Sequence, residues 1–280
     1  MVFMKKKLFI DIILYSTIIY LSINCDRYKK KYTGLYHYLP LDTIIQQYIF
    51  RYYYYKKASI ITNDKFISKF EIRKLHNKYK KNNNIILHIE DCMTLSLTDN
   101  LRINLLDRNI LQCFATNCNF THQKVTKVPI GIDNLWIPTK SNNNKIFKIY
   151  CDFHLNPDPY GERKKIYEKY KSNDLFHFIR YRKSIKDTSF YYSKYKFVLS
   201  VRGFGVDCHR IWETLSCGGI PIVFSSFLDD LYEQYPIIII NTLDNVTEDN
   251  LRIWYNKIKH KSINKLYISY WENEFKKYYE

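Results

Sequence analysis

The fold of this chain is decided by residues 197–223, which read FVLSVRGFGVDCHRIWETLSCGGIPIV. The mostly apolar run at 197–201 predicts a buried strand. The chain then turns through two glycines and continues with Ile211, Trp212 and Leu215 at the spacing of one helix face. A second glycine pair predicts the end of that helix, and the apolar run behind it predicts another strand. Strand, helix and strand in this order indicate an α/β unit.

The same alternation extends through the C-terminal half. The predicted strands are 146–151, 175–180, 197–201, 220–224 and 237–240, and the predicted helices are 161–171, 228–234 and a stretch that begins after the capping residue Thr247. The strand at 237–240 consists of isoleucine alone, which is typical of a parallel strand covered on both faces. The sequence therefore predicts an α/β fold with a parallel sheet of the Rossmann kind.

The loop after the strand at 197–201 is the predicted binding site, because open α/β sheets bind ligands outside the carboxyl ends of their strands. Gly203 and Gly205 let the backbone approach a ligand closely. The N-terminus of the following helix favours a phosphate group. Arg202 and Arg210 flank that point and could add bidentate contacts to a diphosphate. The loop therefore predicts an anionic ligand.

Glu213 lies three residues after Arg210, so the two side chains share a helix face. Arg210 could neutralise an anion while Glu213 accepts hydrogen bonds from sugar or ribose hydroxyls. The same spacing also fits a plain ion pair across one helical turn. His209 could contact a phosphate or donate a hydrogen bond within the loop. The sequence alone leaves these alternatives open.

Residues 197–223 resemble the signature of the exostosin-like glycosyltransferases, and the similarity extends over about residues 111–247. The shared features are the Arg-x-x-Glu pair at Arg210 and Glu213, the turn and strand at 218–223, the run LDDLY at 228–232, and the segments FATN at 114–117 and KVPIGID at 127–133. Phe204 departs from the family pattern, where a small polar residue is common.

The resemblance implies a GT-B-like architecture, in which two Rossmann-like domains with parallel sheets face each other across a cleft. It implies transfer of a sugar from a sugar nucleotide to an acceptor hydroxyl on a glycan, protein or lipid, with no metal or other cofactor required. The residues expected to bind the donor are Arg202, Gly203, Gly205, Asp207, His209, Arg210 and Glu213. A catalytically inactive descendant that only binds a sugar or nucleotide is the first alternative, and a basic nucleic-acid-binding protein is the second.

A general base is expected from the first domain, because an acceptor hydroxyl must lose its proton when the configuration inverts. His88, Glu90 and Asp91 belong to or follow the apolar run at 85–89. We favour Asp91 as the base, although a solvated turn at the end of a strand fits the same residues.

The N-terminus predicts a membrane or secretory route. Three lysines, Lys5 to Lys7, precede an apolar run at 8–23, which is the order of a signal sequence. The run is short for a bilayer span of ~20 residues, and no small-residue cleavage site follows it. We therefore expect an uncleaved signal-anchor of a single-pass type II protein, with a cleaved signal or a buried helix as alternatives.

The predicted domains follow from this segment and from a linker at 140–145. They are 1–24 as signal or anchor, 25–141 as a short stem with the acceptor-side domain, and 142–280 as the sugar-nucleotide domain. Possible glycosylation sites at Asn119 and Asn245 would fit a secretory route.

The composition bears on two further classes of function, nucleic-acid binding and metal binding. The net charge of +17 invites a nucleic-acid interpretation, but the lysines are scattered among Asn, Ile and Tyr and indicate a solvated surface. We therefore expect no nucleic-acid partner. The seven cysteines show no zinc-ligand spacing, so the sequence predicts no metal site. In an oxidising compartment Cys113 and Cys118 could close a short loop.

Overall fold

The computed structural model describes residues 66–79, 85–88, 110–141, 144–156, 158–179 and 183–278, all of which belong to one compact unit. The predicted signal or anchor at 1–24 and the predicted acidic candidates Glu90 and Asp91 lie outside these residues.

Among the described residues, the first sheet has three parallel strands and follows helix α1. The elements are α1 (Lys69–Tyr79), β1 (Ile85–His88), β2 (Gln112–Ala115) and β3 (Val125–Lys127). The spatial order is β1-β2-β3. Every residue of β2 is buried, as expected for the central strand of a covered parallel sheet.

A second sheet, within the described part of the chain, has five strands that all pair in parallel. Its strands are β4 (Ile146–Cys151), β5 (Phe176–Phe178), β6 (Tyr195–Leu199), β7 (Ile220–Phe224) and β8 (Ile238–Ile240). The spatial order is β5-β4-β6-β7-β8. The mixed α/β class with a parallel sheet is therefore confirmed, while the two-domain arrangement stays a prediction.

Helices join the strands of this sheet and close the chain. They are α2 (Glu162–Tyr170), α3 (Ile185–Lys194), α4 (His209–Ser216), α5 (Asp229–Tyr232), α6 (Glu248–Ile258) and α7 (Ile268–Lys276), with 3₁₀ turns at Leu243–Asn245 and Asn264–Leu266. Two of these α-helices begin at side-chain caps: Ser184 accepts from the Asp187 N–H before α3, and Thr247 accepts from the Asn250 N–H before α6.

The strand–helix–strand unit predicted at 197–223 is present, but the first strand has other bounds than predicted. Ile211, Trp212 and Leu215 are all buried, and Gly218 has the positive φ of 68° that ends a helix. Strand β6 starts and ends two residues earlier than predicted, because α3 runs directly into it at Tyr195.

The C-terminal helix α7 packs against the first sheet and α1. Phe275 is fully buried and stacks on Phe114 of β2, with ring centroids 4.2 Å apart and planes inclined by 10°. Glu272 of the same helix accepts hydrogen bonds from Lys78 Nζ and the Tyr79 hydroxyl. Helix α7 therefore stabilises α1 and the first sheet through these contacts.

Gly131 lies at a position where any side chain would strain the backbone and overlap with a neighbouring segment. Its φ is +75°, and a Cβ there would lie 2.3 Å from the carbonyl oxygen of Ile67. We expect Gly131→Ala to lower the free energy of unfolding by about 2–4 kcal/mol, from the positive φ and the overpacking together.

Gly161→Ala is the matched control for that variant, because φ there is +68° and no atom lies within 4 Å of the added Cβ. Urea unfolding should show a loss of only about 1–2 kcal/mol, the cost of the backbone conformation alone. Equal losses in both variants would contradict the described contact at Gly131.

No helix in the described ranges is both long and apolar enough to cross a lipid bilayer.

Candidate functional site

The candidate site lies at the carboxyl edge of the five-stranded sheet. The strand order reverses between β4 and β6, because the chain runs outward from β4 to β5 and then returns to the other side of β4. Ligands of open α/β sheets bind outside the carboxyl ends of the strands at such a reversal. Asp152 directly follows β4, and Ser200 directly follows β6.

Arg210 of α4 forms a buried ion pair at this reversal. Its Nε donates to Asp152 Oδ1 at 2.6 Å, and the two side chains are 15% and 9% exposed. The Tyr192 hydroxyl donates to the other oxygen of Asp152 at 2.7 Å. Burial alone would lower the pKa of Arg210, but the Asp152 carboxylate raises it and the net shift is upward. Arg210 therefore stays charged and is fixed in place.

Asp207 holds the loop between β6 and α4 from inside. It is buried, and its oxygens accept from the Ile130 N–H at 2.7 Å and from the Trp212 indole at 2.8 Å. Its own N–H donates to Asn117 Oδ1 at 2.8 Å. Burial raises the pKa of Asp207 to about 7, and these hydrogen bonds oppose the shift. Asp207 thus links the loop to Asn117 and Ile130 by hydrogen bonds.

His209 and Glu213 contact the backbone just after Ile130. His209 Nδ1–H donates to the Gly131 carbonyl at 2.7 Å, and Glu213 Oε1 accepts from the Asp133 N–H at 3.3 Å. Burial raises the pKa of Glu213 to about 8. In the part of the chain that the structure describes, Glu213 forms no ion pair with Arg210, whose partner is Asp152.

The raised pKa of Glu213 makes stability depend on pH. The pKa is about 8 in the folded chain against an ordinary value of 4.5, so unfolding releases a proton between these two values. The free energy of unfolding should therefore fall as the pH rises from 4.5 to 8, by at most about 1.4 kcal/mol per pH unit. Asp207 adds a contribution of the same sign up to about pH 7.

Glu213→Gln should flatten this dependence, since glutamine keeps an oxygen for the Asp133 N–H but carries no charge. We expect the variant to be more stable than wild type at pH 8 and the difference to shrink at pH 5. Urea unfolding at both pH values measures it, with the exposed Glu233→Gln as control. Parallel pH profiles for wild type and Glu213→Gln would refute the assignment.

Arg202 lines a cavity of about 400 Å³ at the carboxyl ends of β6 and β7. The other polar side chains of its wall are Glu162, Lys165, Ser200, Ser225, Ser226 and Tyr232. The Arg202 guanidinium lies 3.6 Å from the centroid of the Tyr160 ring. Its Nε is buried and has no hydrogen-bond partner among the described residues. A buried donor of this kind normally has a partner, so the cavity can accept an anion.

A buried arginine clamps the loop that carries Arg202. Arg163 of α2 donates through Nε and Nη2 to the Arg202 carbonyl and through Nη1 to the His154 carbonyl. Burial and then the charge of Arg210 lower the pKa of Arg163. The Tyr160 hydroxyl donates to the Phe204 carbonyl at 3.1 Å. Three guanidinium groups therefore lie at this edge of the sheet, and that of Arg210 is paired with Asp152.

The two predicted glycines differ in their surroundings. Gly205 is buried, and a Cβ there would lie 3.1 Å from Asn117 Nδ2. Gly203 is partly exposed, and its Cβ would meet Arg163 Nη2 at 3.6 Å. A side chain at Gly205 would therefore crowd Asn117, whereas one at Gly203 would make only an ordinary contact with Arg163.

The predicted donor-binding residues fall into two groups, those at the cavity and those whose side chains contact other parts of the chain. Arg202 is the one that lines the described cavity, and Gly203 adjoins it. Asp207, His209 and Glu213 contact backbone at 130–133, and Arg210 contacts a carboxylate after β4.

Asp152 and Arg163 were not predicted as site residues from the sequence. Asp152 follows a predicted strand, so the rule that selected the loop after β6 could also have found it. Arg163 binds the backbone carbonyls of Arg202 and His154, which are 39 and 9 residues away. No local sequence pattern predicts such contacts.

No group of three or more potential metal ligands occurs among the described residues. The thiols of Cys113 and Cys118 are both buried and free, and burial raises the pKa of Cys113 to about 12.

No protein-family model matches the sequence, and no curated protein matches it significantly.

Proposed function

We propose that the chain is a glycosyltransferase that moves a sugar from a sugar nucleotide to an acceptor hydroxyl, as its resemblance to the exostosin-like enzymes implies. The observation that carries the proposal is the cavity at the carboxyl edge of the five-stranded sheet, whose wall includes Arg202, with a buried Nε that has no hydrogen-bond partner among the described residues. The proposed GT-B arrangement would place the acceptor side in the preceding domain.

The proposed donor site stabilises the departing diphosphate with fixed positive groups. Charge grows on the diphosphate as the sugar leaves, and preorganised donors stabilise it most at that stage. Arg202 supplies donors from the cavity wall, held by the Tyr160 ring and by the Arg163 clamp on its backbone. The uncapped N-terminus of α4 adds its dipole to the same edge.

Arg210 and Glu213 have separate roles in this proposal. Arg210 is fixed by Asp152 and contributes positive potential beside the diphosphate. Glu213, with a pKa of about 8, is largely protonated at neutral pH and can both donate to and accept from a sugar or ribose hydroxyl. The proposed general base is Asp91, which lies outside the described residues.

Sugar-nucleotide turnover without a divalent ion tests the proposal. We expect the purified full chain to hydrolyse or transfer from at least one member of a panel of sugar nucleotides. We also expect the rate to be unchanged by a chelator, because arginines and a helix N-terminus carry the diphosphate charge. Activity that disappears with chelator and returns with manganese would show that the diphosphate site is misassigned.

The inactive sugar- or nucleotide-binding descendant remains the second candidate, because Asp152 neutralises much of the charge of Arg210. The same panel separates the two candidates: saturable binding without turnover of any member favours the binding protein.

A further inference from the structure

A second cavity lies at the opposite, amino edge of the five-stranded sheet. It has a volume of about 690 Å³, is formed by the starts of β4 and β6 and by one face of α6, and is here called the amino-edge cavity. Its charged and aromatic lining residues are Lys145, Phe147, Lys196, Arg252 and Tyr255. Cavities of about 300–1,000 Å³ hold small organic ligands. No residue of the proposed donor site lines this one.

The wall of the amino-edge cavity is cationic. Three of its eight described lining residues carry positive charge and none is acidic. Lys145 is already engaged, because its Nζ donates to three backbone carbonyls at the ends of α3 and α4. Lys196 and Arg252 remain, and Arg252 gives one nitrogen to Glu248 on the neighbouring turn. Two cations are therefore available to a ligand.

Aromatic rings hold these two cations at the cavity. Lys196 Nζ lies 3.9 Å from the centroid of the Tyr255 ring, and the Arg252 guanidinium lies 4.4 Å from that of Phe147. Such contacts fix flexible side chains and lower the entropic cost of binding an anion. The ring edges also give apolar surface to a ligand that carries a ring of its own.

We propose that the amino-edge cavity binds a small phosphate monoester that carries a ring, such as a phosphorylated sugar. A phosphate monoester has a charge of about −1.5 to −2 near neutral pH. The three cations of the wall and the Glu248 carboxylate paired with Arg252 leave a net charge of +2, which such an ester balances better than a singly charged sulfate ester or carboxylate does. The volume exceeds the needs of a lone oxyanion, and the rings of Phe147 and Tyr255 contact the remainder of the ligand. This inference does not rest on the proposed glycosyl transfer.

Calorimetric titration of the full chain with ribose 5-phosphate tests the proposal. The Arg202→Ala background removes the guanidinium of the donor site, so that binding there does not confuse the result. We expect saturable binding in this background, roughly tenfold weaker binding after either Lys196→Gln or Arg252→Gln, and none detectable after both. Lys257→Gln, an exposed lysine of α6 that does not line the cavity, should bind as the background does.

Three results would overturn the proposal. They are absence of binding in the Arg202→Ala background, binding that survives the double variant, and an affinity for inorganic phosphate or ribose sulfate equal to that for ribose 5-phosphate. A thermal midpoint close to that of the background shows that each variant is folded. Because these measurements need no sugar nucleotide, their failure is distinct from failure of the proposed function.

Discussion

Replacing Arg210 with methionine is expected to lower the rate of the proposed sugar transfer by about a hundredfold to a thousandfold, because our proposal places this fixed positive group beside the departing diphosphate. The same change leaves the Asp152 carboxylate buried without its cation. Removing one partner of a buried pair costs about 3–5 kcal/mol of stability. A slow, unstable variant would therefore not by itself separate catalysis from folding.

The double variant Asp152→Asn, Arg210→Met separates the two effects. It removes the unpaired charge, while the amide oxygen can still accept from the Tyr192 hydroxyl. Most of the lost stability should return and the transfer rate should stay low, as measured by thermal midpoint and initial rate. Near-normal transfer by the folded double variant would remove Arg210 from the catalytic site.

Phe275→Ala is expected to give a large loss of stability outside the site. The ring is fully buried and stacked on Phe114, and deleting a buried phenylalanine side chain costs about 3–5 kcal/mol. For a domain of this size the thermal midpoint should fall by roughly 10 °C.

Phe204→Ala is the control for that loss, since Phe204 is 55% exposed and its truncation should change stability by no more than about 0.5 kcal/mol. A Phe275→Ala variant that melts with wild type would contradict the packing of α7 on the first sheet.

The strands of the second sheet were predictable because each is a short apolar run that ends at a polar or turn residue. Helix α3 was not predicted, since its aromatic run at 190–192 reads as well for a strand as for a helix. The signal that decides it is the cap, Ser184 with Asp187 three residues later, which initiates a helix. Capping chemistry was therefore more informative there than hydrophobic periodicity.

The loop of the candidate site was predictable, but the partners of its side chains were not. Asp207, His209 and Glu213 contact backbone groups 77, 78 and 80 residues earlier in the chain. No local spacing encodes such contacts. The Arg210–Glu213 spacing predicted a shared helix face. Arg210 instead forms its ion pair with Asp152, the carboxylate that directly follows β4.

Direct binding of a sugar nucleotide at the carboxyl edge of the five-stranded sheet is the central claim. Calorimetric titration of wild type, Arg202→Ala and the exposed control Lys257→Ala with the members of a sugar-nucleotide panel measures it. Our proposal predicts that at least one member binds wild type and Lys257→Ala equally and binds Arg202→Ala at least about tenfold more weakly, the effect of one lost charge-assisted contact. Binding of no member, or equal binding by Arg202→Ala, would contradict it.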